Sequence, residues 1–259
     1  MSGGSVRVGI FTDTHYSHKP DDGERFFQNS LEKMKNLTRF FRTWQVDLTF
    51  CLGDLIDTGE DDTDAALRLE ELLAVWRTVS VPMYLCLGNH DINALPREAF
   101  FNALGLPCFH GYGSFDYGGV HFIILDTNHD KEGRAYTVRT LRWDECYLDQ
   151  VQLDWLEADL KRENGPAMVF THANLDPRYH DGELDPHVVK NHEDVRSVLL
   201  NSRRVQMVFQ GHYHKGRSCI LDGITYFTLP AVVEGRDKNY GLILRYGSGC
   251  PPQWEELFR

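Results

Sequence analysis

The sequence has no long hydrophobic run, no cluster of basic residues and no closely spaced pair of cysteines. Its apolar runs, such as 120–125, are far shorter than the roughly 20 residues that a membrane-spanning helix needs. The formal net charge of −11 is not offset by any Lys/Arg-rich run, which argues against double-stranded nucleic acid as a partner. The six cysteines form no C-x-x-C pair, so neither a zinc knuckle nor a redox motif is predicted. We therefore expect a soluble protein, independent of membranes, whose thiols are reduced and mostly buried.

The rest of the composition is ordinary for a soluble globular protein, with 42% hydrophobic and 25% charged residues. The first five residues lack the basic and apolar parts of a signal peptide, which predicts a cytoplasmic location unless a leader has been removed. No repeat, low-complexity tract or flexible linker marks a boundary, so we expect one domain over residues 1–259. The oligomeric state is left open by the sequence.

Short apolar runs recur along the chain, and each is followed by a turn of Gly, Asn, Asp or His residues. Because these runs are continuously apolar, they predict strands buried on both faces, at 6–11, 48–52, 83–87, 120–125, 167–170 and 205–209. Helical stretches lie between them, at 26–44, 64–79, 150–162 and 193–201. Strands alternating with helices predict stacked α/β layers. Later runs at 218–221, 224–229 and 240–246, with Asp222-Gly223 between the first two, predict an antiparallel region.

Five of the predicted strands end in side chains that can bind metal ions. These clusters are Asp13 with His15, Asp54 with Asp57, Asn89 with His90 and Asp91, His172 alone, and His212 with His214. Loops beyond the carboxyl ends of strands are where open α/β sheets build their sites. A single Asp or His in such a loop is more often a turn residue. Five clusters in one chain predict a shared site. Gly53, Gly88 and Gly211 directly precede three of these clusters, and a sharp turn or a close approach of the backbone would explain why glycine stands there.

The types of side chain indicate which metals and which chemistry to expect. Carboxylates, imidazoles and an amide oxygen, with no thiolate, suit Mn, Fe or Zn. The candidate ligands are too many for one ion, namely Asp13, His15, Asp54, Asn89, His172, His212 and His214. Such a set fits two divalent ions that share a bridging carboxylate and that activate a bridging hydroxide for in-line attack on a phosphoryl group. Hydrolysis of this kind needs no protein nucleophile.

The motifs D-x-H, G-D-x-x-D, G-N-H-D, a single His and G-H-x-H, in this order from Asp13 to His214, resemble the calcineurin-like metallophosphoesterase superfamily. The resemblance implies an α-β-β-α sandwich, in which two mixed sheets are flanked by helices and the metal site lies on loops at strand ends. It also implies how the ligands divide. Asp13, His15 and His214 would hold one ion, Asn89, His172 and His212 the other, and Asp54 would bridge them.

His90 has a different implied role from the metal ligands. It would face the substrate phosphate, stabilising developing charge or protonating the leaving oxygen, with Asp57 or Asp91 orienting its ring. The alternative is a purely structural role for His90 beside the ligands.

Finer similarities, at 11–16, 25–30, 125–128, 143–147, 210–215 and 233–235, resemble the manganese-dependent ADP-ribose/CDP-alcohol diphosphatase branch. They imply a small-molecule substrate, cleaved by a phosphodiesterase or diphosphatase acting on nucleotide-like compounds. Some members of that branch carry Gln where His15 stands. A base needs an aromatic face and a diphosphate needs a cation, so the candidate substrate contacts are Arg25, Asn128, Arg134, Tyr136 and Trp143.

Other interpretations of the same residues stay open. Arg25 could lie on a solvated helix face and Trp143 could only pack, while His180 and His187 could line the pocket or lie on the surface.

The same metal core would serve a phosphomonoesterase or a cyclic-nucleotide phosphodiesterase. A non-catalytic scaffold is a further alternative, although degenerate members usually lose ligands and none is missing here. Specificity must come from 16–30, 127–147 and 174–191, for which the sequence gives composition without geometry.

Overall fold

The computed structural model describes residues 5–58, 64–106, 111–138, 140–162, 165–247 and 252–258. A five-stranded sheet has the order β13-β12-β1-β2-β3 and a six-stranded sheet the order β10-β11-β9-β6-β5-β4. The strands of the first sheet are β1 Val6–Phe11, β2 Leu48–Cys51, β3 Met83–Leu85, β12 Tyr240–Tyr246 and β13 Gln253–Phe258. Those of the second are β4 Gly113–Tyr117, β5 Val120–Ile124, β6 Ala167–Thr171, β9 Val205–Gln210, β10 Arg217–Leu221 and β11 Ile224–Thr228. The short strands β7 Tyr179–His180 and β8 Glu183–Leu184 form a separate hairpin.

Helices cover the outer faces of both sheets. They are α1 Ser30–Thr43, α2 Ala65–Trp76, α3 Asn89–Ala94, α4 Arg97–Ala103, α5 Gln150–Arg162 and α6 His192–Ser202. Phe41 of α1 and Trp76 of α2 pack with Phe11 of the first sheet, and Leu156 of α5 packs in the cluster that contains Val169 of the second. None of the helices in these described ranges has the length and apolar character needed to cross a bilayer.

The inner faces of the two sheets meet in an apolar layer. Phe50 of β2 stacks on Phe170 of β6, with ring centroids 3.8 Å apart and planes 8° apart. Val8 and Ile10 of β1 join this inner layer, whereas the adjacent Phe11 packs beneath the helices. Successive residues of a strand point to opposite faces, so a strand between two apolar layers must be apolar at every position. This explains the continuous runs and confirms the predicted α-β-β-α sandwich.

The pairing of the strands places their carboxyl ends together. β1, β2 and β3 are parallel, and so are β5, β6, β9 and β11. The antiparallel strands β12, β13, β10 and β4 lie toward the edges of the two sheets. Both sheets are therefore mixed, and the loops after the parallel strands share one edge of the sandwich.

Several boundaries differ from the sequence prediction. The helix expected over 26–44 begins at Ser30, because Phe26 N donates to the main-chain oxygen of Val233 at 2.9 Å and holds this stretch in a loop. The Asp222-Gly223 hairpin is confirmed, but its second strand also pairs in parallel with β9. The run 240–246 joins the first sheet beside β1 instead of extending that hairpin. Sequence periodicity cannot show which sheet a strand joins.

The described cysteines are mostly buried, as the sequence predicts. Cys51, Cys86 and Cys146 are buried and free, and Cys219 is free and partly exposed. The predictions for Cys108 and Cys250 lie outside the described residues.

Candidate metal centre

Five loops, after β1, β2, β3, β6 and β9, meet at the shared edge of the two sheets. Main-chain hydrogen bonds join them directly: Asp13 N donates to the oxygen of Gly53 at 3.0 Å, and His15 N donates to that of Asp54 at 2.9 Å. Asp13, His15 and Asp54 have positive φ values of 53°, 43° and 52°, and His212 has 65°. Such conformations are uncommon outside glycine and cluster at functional sites.

Two glycines allow the loops to approach this closely. Gly53 has a φ of +109°, and a side chain there would overlap the ring of His172. A side chain at Gly88 would overlap the carboxylate of Asp54. The expectation of close backbone approach at these two positions is confirmed, and any larger residue would displace a candidate ligand.

Three imidazoles at this edge have their Nδ1 atoms occupied by acceptors outside the centre. His172 Nδ1 donates to a main-chain oxygen at 2.8 Å, and His214 Nδ1 donates to Glu234 at 2.7 Å. His15 Nδ1 lies 3.3 Å from Asp57 Oδ2. A hydrogen bond at Nδ1 fixes the orientation of the ring and leaves the Nε2 lone pair free to bind a metal ion.

The Nε2 atoms converge with two carboxylates. His15 Nε2 lies 3.1 Å from His214 Nε2, and these two atoms lie 3.6 and 3.5 Å from Asp13 Oδ1. Asp54 Oδ2 lies 3.4 Å from His15 Nε2 and 3.3 Å from His172 Nε2. Asp54 therefore stands between two groups of donor atoms.

The second group contains His172, His212 and Asn89. Asn89 Oδ1 lies 3.1 Å from His172 Nε2, and donor atoms of His212, His172 and Asp54 all lie within 4.8 Å of one another. Asp54 belongs to this group, and its Oδ2 also lies 3.4 Å from His15 Nε2 of the first group.

Two buried atoms of the centre have no hydrogen-bond partner among the described residues, Asp13 Oδ1 and His212 Nε2. A buried polar atom without a partner costs about 1–3 kcal/mol. A cation in contact with both kinds of atom would remove that cost, because carboxylate oxygens and imidazole nitrogens are common ligands of divalent metals. The residues present therefore fit two divalent ions.

Against the effect of burial, the carboxylates raise the pKa of His172 to about 9 and those of His15 and His214 above the usual value, so these rings would release protons on binding a cation. Three other groups are already deprotonated. Burial alone would raise the pKa of Asp13 and of Asp54, but the neighbouring imidazoles lower both below the usual value, so both are ionised. Burial, together with the charge of His172, lowers the pKa of His212 well below its usual value. Metal ligands must be deprotonated, so these three groups are in the form that binds a cation.

His90 lies beside the centre and one third of its side chain is exposed. It lines a cleft that also contains Asn93 and Trp143. Its Nδ1 lies 3.1 Å from Asp57 Oδ1, which fixes the ring. Burial would lower the pKa of His90, but the charges of Asp54 and Asp57 raise it above the usual value.

Asp91 has a structural contact instead. Its Oδ1 accepts from the main-chain nitrogens of Leu55 and Ile56 at 2.9 and 3.3 Å, and its Oδ2 accepts from that of Gly88 at 3.0 Å. Asp91 thus fastens two of the metal loops to each other. Of the two carboxylates considered from the sequence, the geometry supports Asp57, and not Asp91, as the residue that orients His90.

A sequence model of the calcineurin-like phosphoesterases matches residues 6–216 of the chain. The chain belongs to this family. As a calcineurin-like phosphoesterase it is a metal-dependent phosphoester hydrolase, and the non-catalytic scaffold is not favoured.

This phosphoesterase is similar to several known proteins. A Fibrobacter succinogenes protein named "Probable cyclic nucleotide phosphodiesterase" is 23% identical over 260 residues, which are 96% of this chain and 88% of that one. The manganese-dependent ADP-ribose/CDP-alcohol diphosphatase of Oryza sativa is 23% identical over 275 residues, covering 87% and 83%. The structure of a dimetal phosphatase from Danio rerio superposes with a TM-score of 0.77 at 20% identity over 98% of both chains, which shows a shared fold.

The stability of the phosphoesterase should depend on Asp91. We expect Asp91→Asn to lower the free energy of unfolding by about 1–3 kcal/mol, because an amide NH2 group cannot accept from a main-chain N–H. Chemical denaturation measures this change. His90→Ala serves as the comparison, since the neighbouring His90 side chain makes no such main-chain bonds in the described structure. Equal stability of the Asp91→Asn variant and the wild type would contradict the structural role.

Three of the five candidate substrate contacts line neither the cavity beside His214 nor the cleft beside His90. Asn128 is buried, and its Nδ2 donates to a main-chain oxygen at 2.7 Å. Tyr136 is buried, and its hydroxyl donates to a main-chain oxygen at 2.9 Å. Arg134 is 74% exposed and pairs with Asp130 and Glu132. Packing and local ion pairs account for these side chains, so their contacts lend no support to the three predictions, which stay predictions.

The other two candidates do lie at the site. Arg25 lines a cavity of about 560 Å³ next to His212 and His214. Its Nε lies 3.4 Å from Glu234 Oε1, the atom that also accepts from His214. Trp143 is 47% exposed, and its ring centroid lies 6.1 Å from that of His212. Arg25 thus lies beside the carboxylate that holds His214, and Trp143 lies beside His212.

Sequence reasoning assigned no role to two residues that support the site. Glu234 appeared only within the resemblance at 233–235, and the structure places it against His214. Lys19 Nζ donates to Asp57 Oδ2 at 2.5 Å and lies 4.0 Å above the ring of Phe27. Neither follows a buried strand in the way that the ligands do, so no local signal pointed to them.

Proposed function

We propose that this phosphoesterase holds two divalent cations at the candidate centre and hydrolyses diesters or diphosphates of nucleotide-like small molecules. The ligands would be Asp13, His15 and His214 for one ion, Asn89, His172 and His212 for the other, and Asp54 for both. The main support is the pair of buried, unpartnered atoms Asp13 Oδ1 and His212 Nε2, one in each ligand group.

The donor atoms suit manganese, iron or zinc. The name of the Oryza sativa relative makes manganese the first ion to test. When bound, two such ions lower the pKa of a water molecule and neutralise the phosphoryl oxygens.

The chain itself would supply a general acid. Asp57 holds His90 through Nδ1, so Nε2 is left for the cleft, where it would donate to the leaving oxygen or to developing negative charge. Asp57, which would not bind the ions, is one of the two charges that raise the pKa of His90, a shift in the direction that a general acid needs.

Preference for a diester or diphosphate rests on the two spaces beside the centre. His212 and His214 line the Arg25 cavity, and Asn89 and His90 line the Trp143 cleft. A phosphorus atom with two substituents could place one in each space, with Arg25 and Trp143 as contacts, whereas a monoester would fill only one. The names of the Fibrobacter and Oryza relatives, a phosphodiesterase and a diphosphatase, agree with this preference.

A panel of substrates tests the proposal. Manganese-loaded protein is assayed with ADP-ribose, CDP-choline, 3′,5′-cyclic AMP, bis(p-nitrophenyl) phosphate and p-nitrophenyl phosphate. We expect kcat/KM for the best diester or diphosphate to exceed that for the monoester by at least about tenfold, the effect of roughly one well-made contact. A preference for the monoester would exclude diesters and diphosphates as the preferred substrates. Only metal-dependent hydrolysis would then remain of the proposal.

We further propose a single domain over residues 1–259, since β12 and β13 follow the family match and complete the sheet that contains β1. A cytoplasmic location is also proposed, supported by the buried free thiols of Cys51, Cys86 and Cys146, which suit a reducing compartment.

A further inference from the structure

His187 lines the cavity beside the metal centre and its side chain is 28% exposed. Its Nδ1 lies 2.7 Å from Asp185 Oδ1, and its main-chain nitrogen donates to the same oxygen at 2.9 Å. Asp185 is fixed in turn, because the Nε of the buried Arg178 lies 3.4 Å from its other oxygen. The ring of His187 therefore has one defined orientation.

Three neighbouring rings pack near the ring of His187. Its ring centroid lies 4.9 Å from that of His212, 5.4 Å from that of Tyr213 and 5.6 Å from that of Trp143. The guanidinium carbon of Arg178 lies over the Tyr213 ring, 4.2 Å from its centroid. A side chain placed this firmly at a cavity wall is preorganised for contact with a ligand.

One ring nitrogen remains for such a contact. Asp185 occupies Nδ1, and Nε2 takes part in none of the hydrogen bonds found among the described residues. His180 provides a contrast. It also bonds Asp185, at 3.0 Å, but it is 68% exposed and lies away from the cavity lining.

The chemistry of the cavity indicates what Nε2 would meet. The lining mixes acceptors and donors of both charges, namely Glu24, Glu234, Arg25, Lys215 and Lys238. A hydroxyl group both donates and accepts, so a hydroxylated group can satisfy such a lining, whereas an apolar group cannot. A second phosphate group in this cavity would be attracted by the cations but repelled by the two carboxylates.

We propose that His187 is a substrate-binding residue whose Nε2 hydrogen-bonds a hydroxyl of a sugar-like substituent on the scissile phosphoryl group, held in this cavity. The inference rests on the proposed function, because it concerns the part of the same substrate that does not react. A hydroxyl can pair with Nε2 in either direction, so the contact does not depend on the protonation state of the ring.

Binding of two ligands that differ only in hydroxyl groups tests this contact. AMP and 2′,3′-dideoxy-AMP are titrated calorimetrically into manganese-loaded wild type, His187→Phe, His187→Ala and the matched control His180→Phe. Wild type and control should bind AMP about tenfold more tightly than the dideoxy compound, the effect of about one hydrogen bond. In both His187 variants this ratio should fall to within about twofold. A general loss of stability would not produce that change, because the ratio compares two ligands on one protein.

Three results would overturn the inference: equal affinity of the wild type for the two ligands, measurable binding of neither, or an unchanged ratio in both His187 variants. Failure of the proposed function has a different signature. It would appear as absence of manganese-dependent hydrolysis of bis(p-nitrophenyl) phosphate, which carries no hydroxyl, by the wild-type protein.

Discussion

Replacement of His90 by alanine should lower kcat by about 10²–10⁴-fold, the usual contribution of a general acid. The ring lies next to the centre, and Asp57 Oδ1, 3.1 Å from its Nδ1, orients it. Both metal ions should stay bound, since His90 is not among the proposed ligands. Steady-state kinetics on bis(p-nitrophenyl) phosphate, together with metal analysis of the same sample, measures the two quantities.

A matched control for His90→Ala is His180→Ala, because His180 is an exposed histidine that is also paired with an aspartate. Its kcat should stay within about twofold of the wild type, as is usual for surface substitutions. Full turnover by the His90→Ala variant with two ions bound would show that His90 has only a structural role.

The second large effect is expected at Asp54. Asp54→Asn keeps the shape of the side chain but removes the charge that lies 3.4 Å from His15 Nε2 and 3.3 Å from His172 Nε2. We expect fewer than two ions to bind tightly and kcat/KM to fall by at least about 10³-fold, because both ions take part in the displacement. Metal titration and kinetics on the same preparation measure these changes.

Asp91→Asn provides the matched control for Asp54→Asn. Asp91 is an equally buried carboxylate, but it bonds main-chain nitrogens at 2.9–3.3 Å instead of the imidazoles. The Asp91→Asn protein should therefore bind two ions per chain, although it is less stable. If Asp54→Asn bound two ions tightly and turned over substrate normally, Asp54 would not be the bridging ligand.

The candidate ligands could be predicted because each of them follows a buried strand. In a parallel sheet the carboxyl ends share one edge, which groups Asp13, Asp54 and Asn89 after β1, β2 and β3. The same rule groups His172 and His212 after β6 and β9 of the second sheet, but only the structure shows that the two groups meet. The position of a candidate ligand directly after an apolar run is a local signal, and this is why single residues could be named. The strand and its ligand are separated by only a few residues, and a glycine marks the turn directly before Asp54, Asn89 and His212.

Residues outside this pattern could not be placed from the sequence. Asn128 and Tyr136 lie in the irregular segment that follows β5, where burial is decided by contacts with distant parts of the chain. The support given to His214 by Glu234, and to His187 by Asp185, likewise depends on how loops fold back. The strand β4 was missed because it is partly exposed and polar, so its apolar signal is weak.

The number of metal ions bound per chain tests the two-metal assignment most directly. Protein stripped with a chelator is dialysed and titrated with manganese, and bound metal is measured by mass spectrometry alongside hydrolysis of bis(p-nitrophenyl) phosphate. We expect no activity in the stripped protein, saturation at two ions per chain, and full activity only as the second ion binds. Lasting activity in the stripped protein, or full activity with a single ion bound, would contradict the assignment.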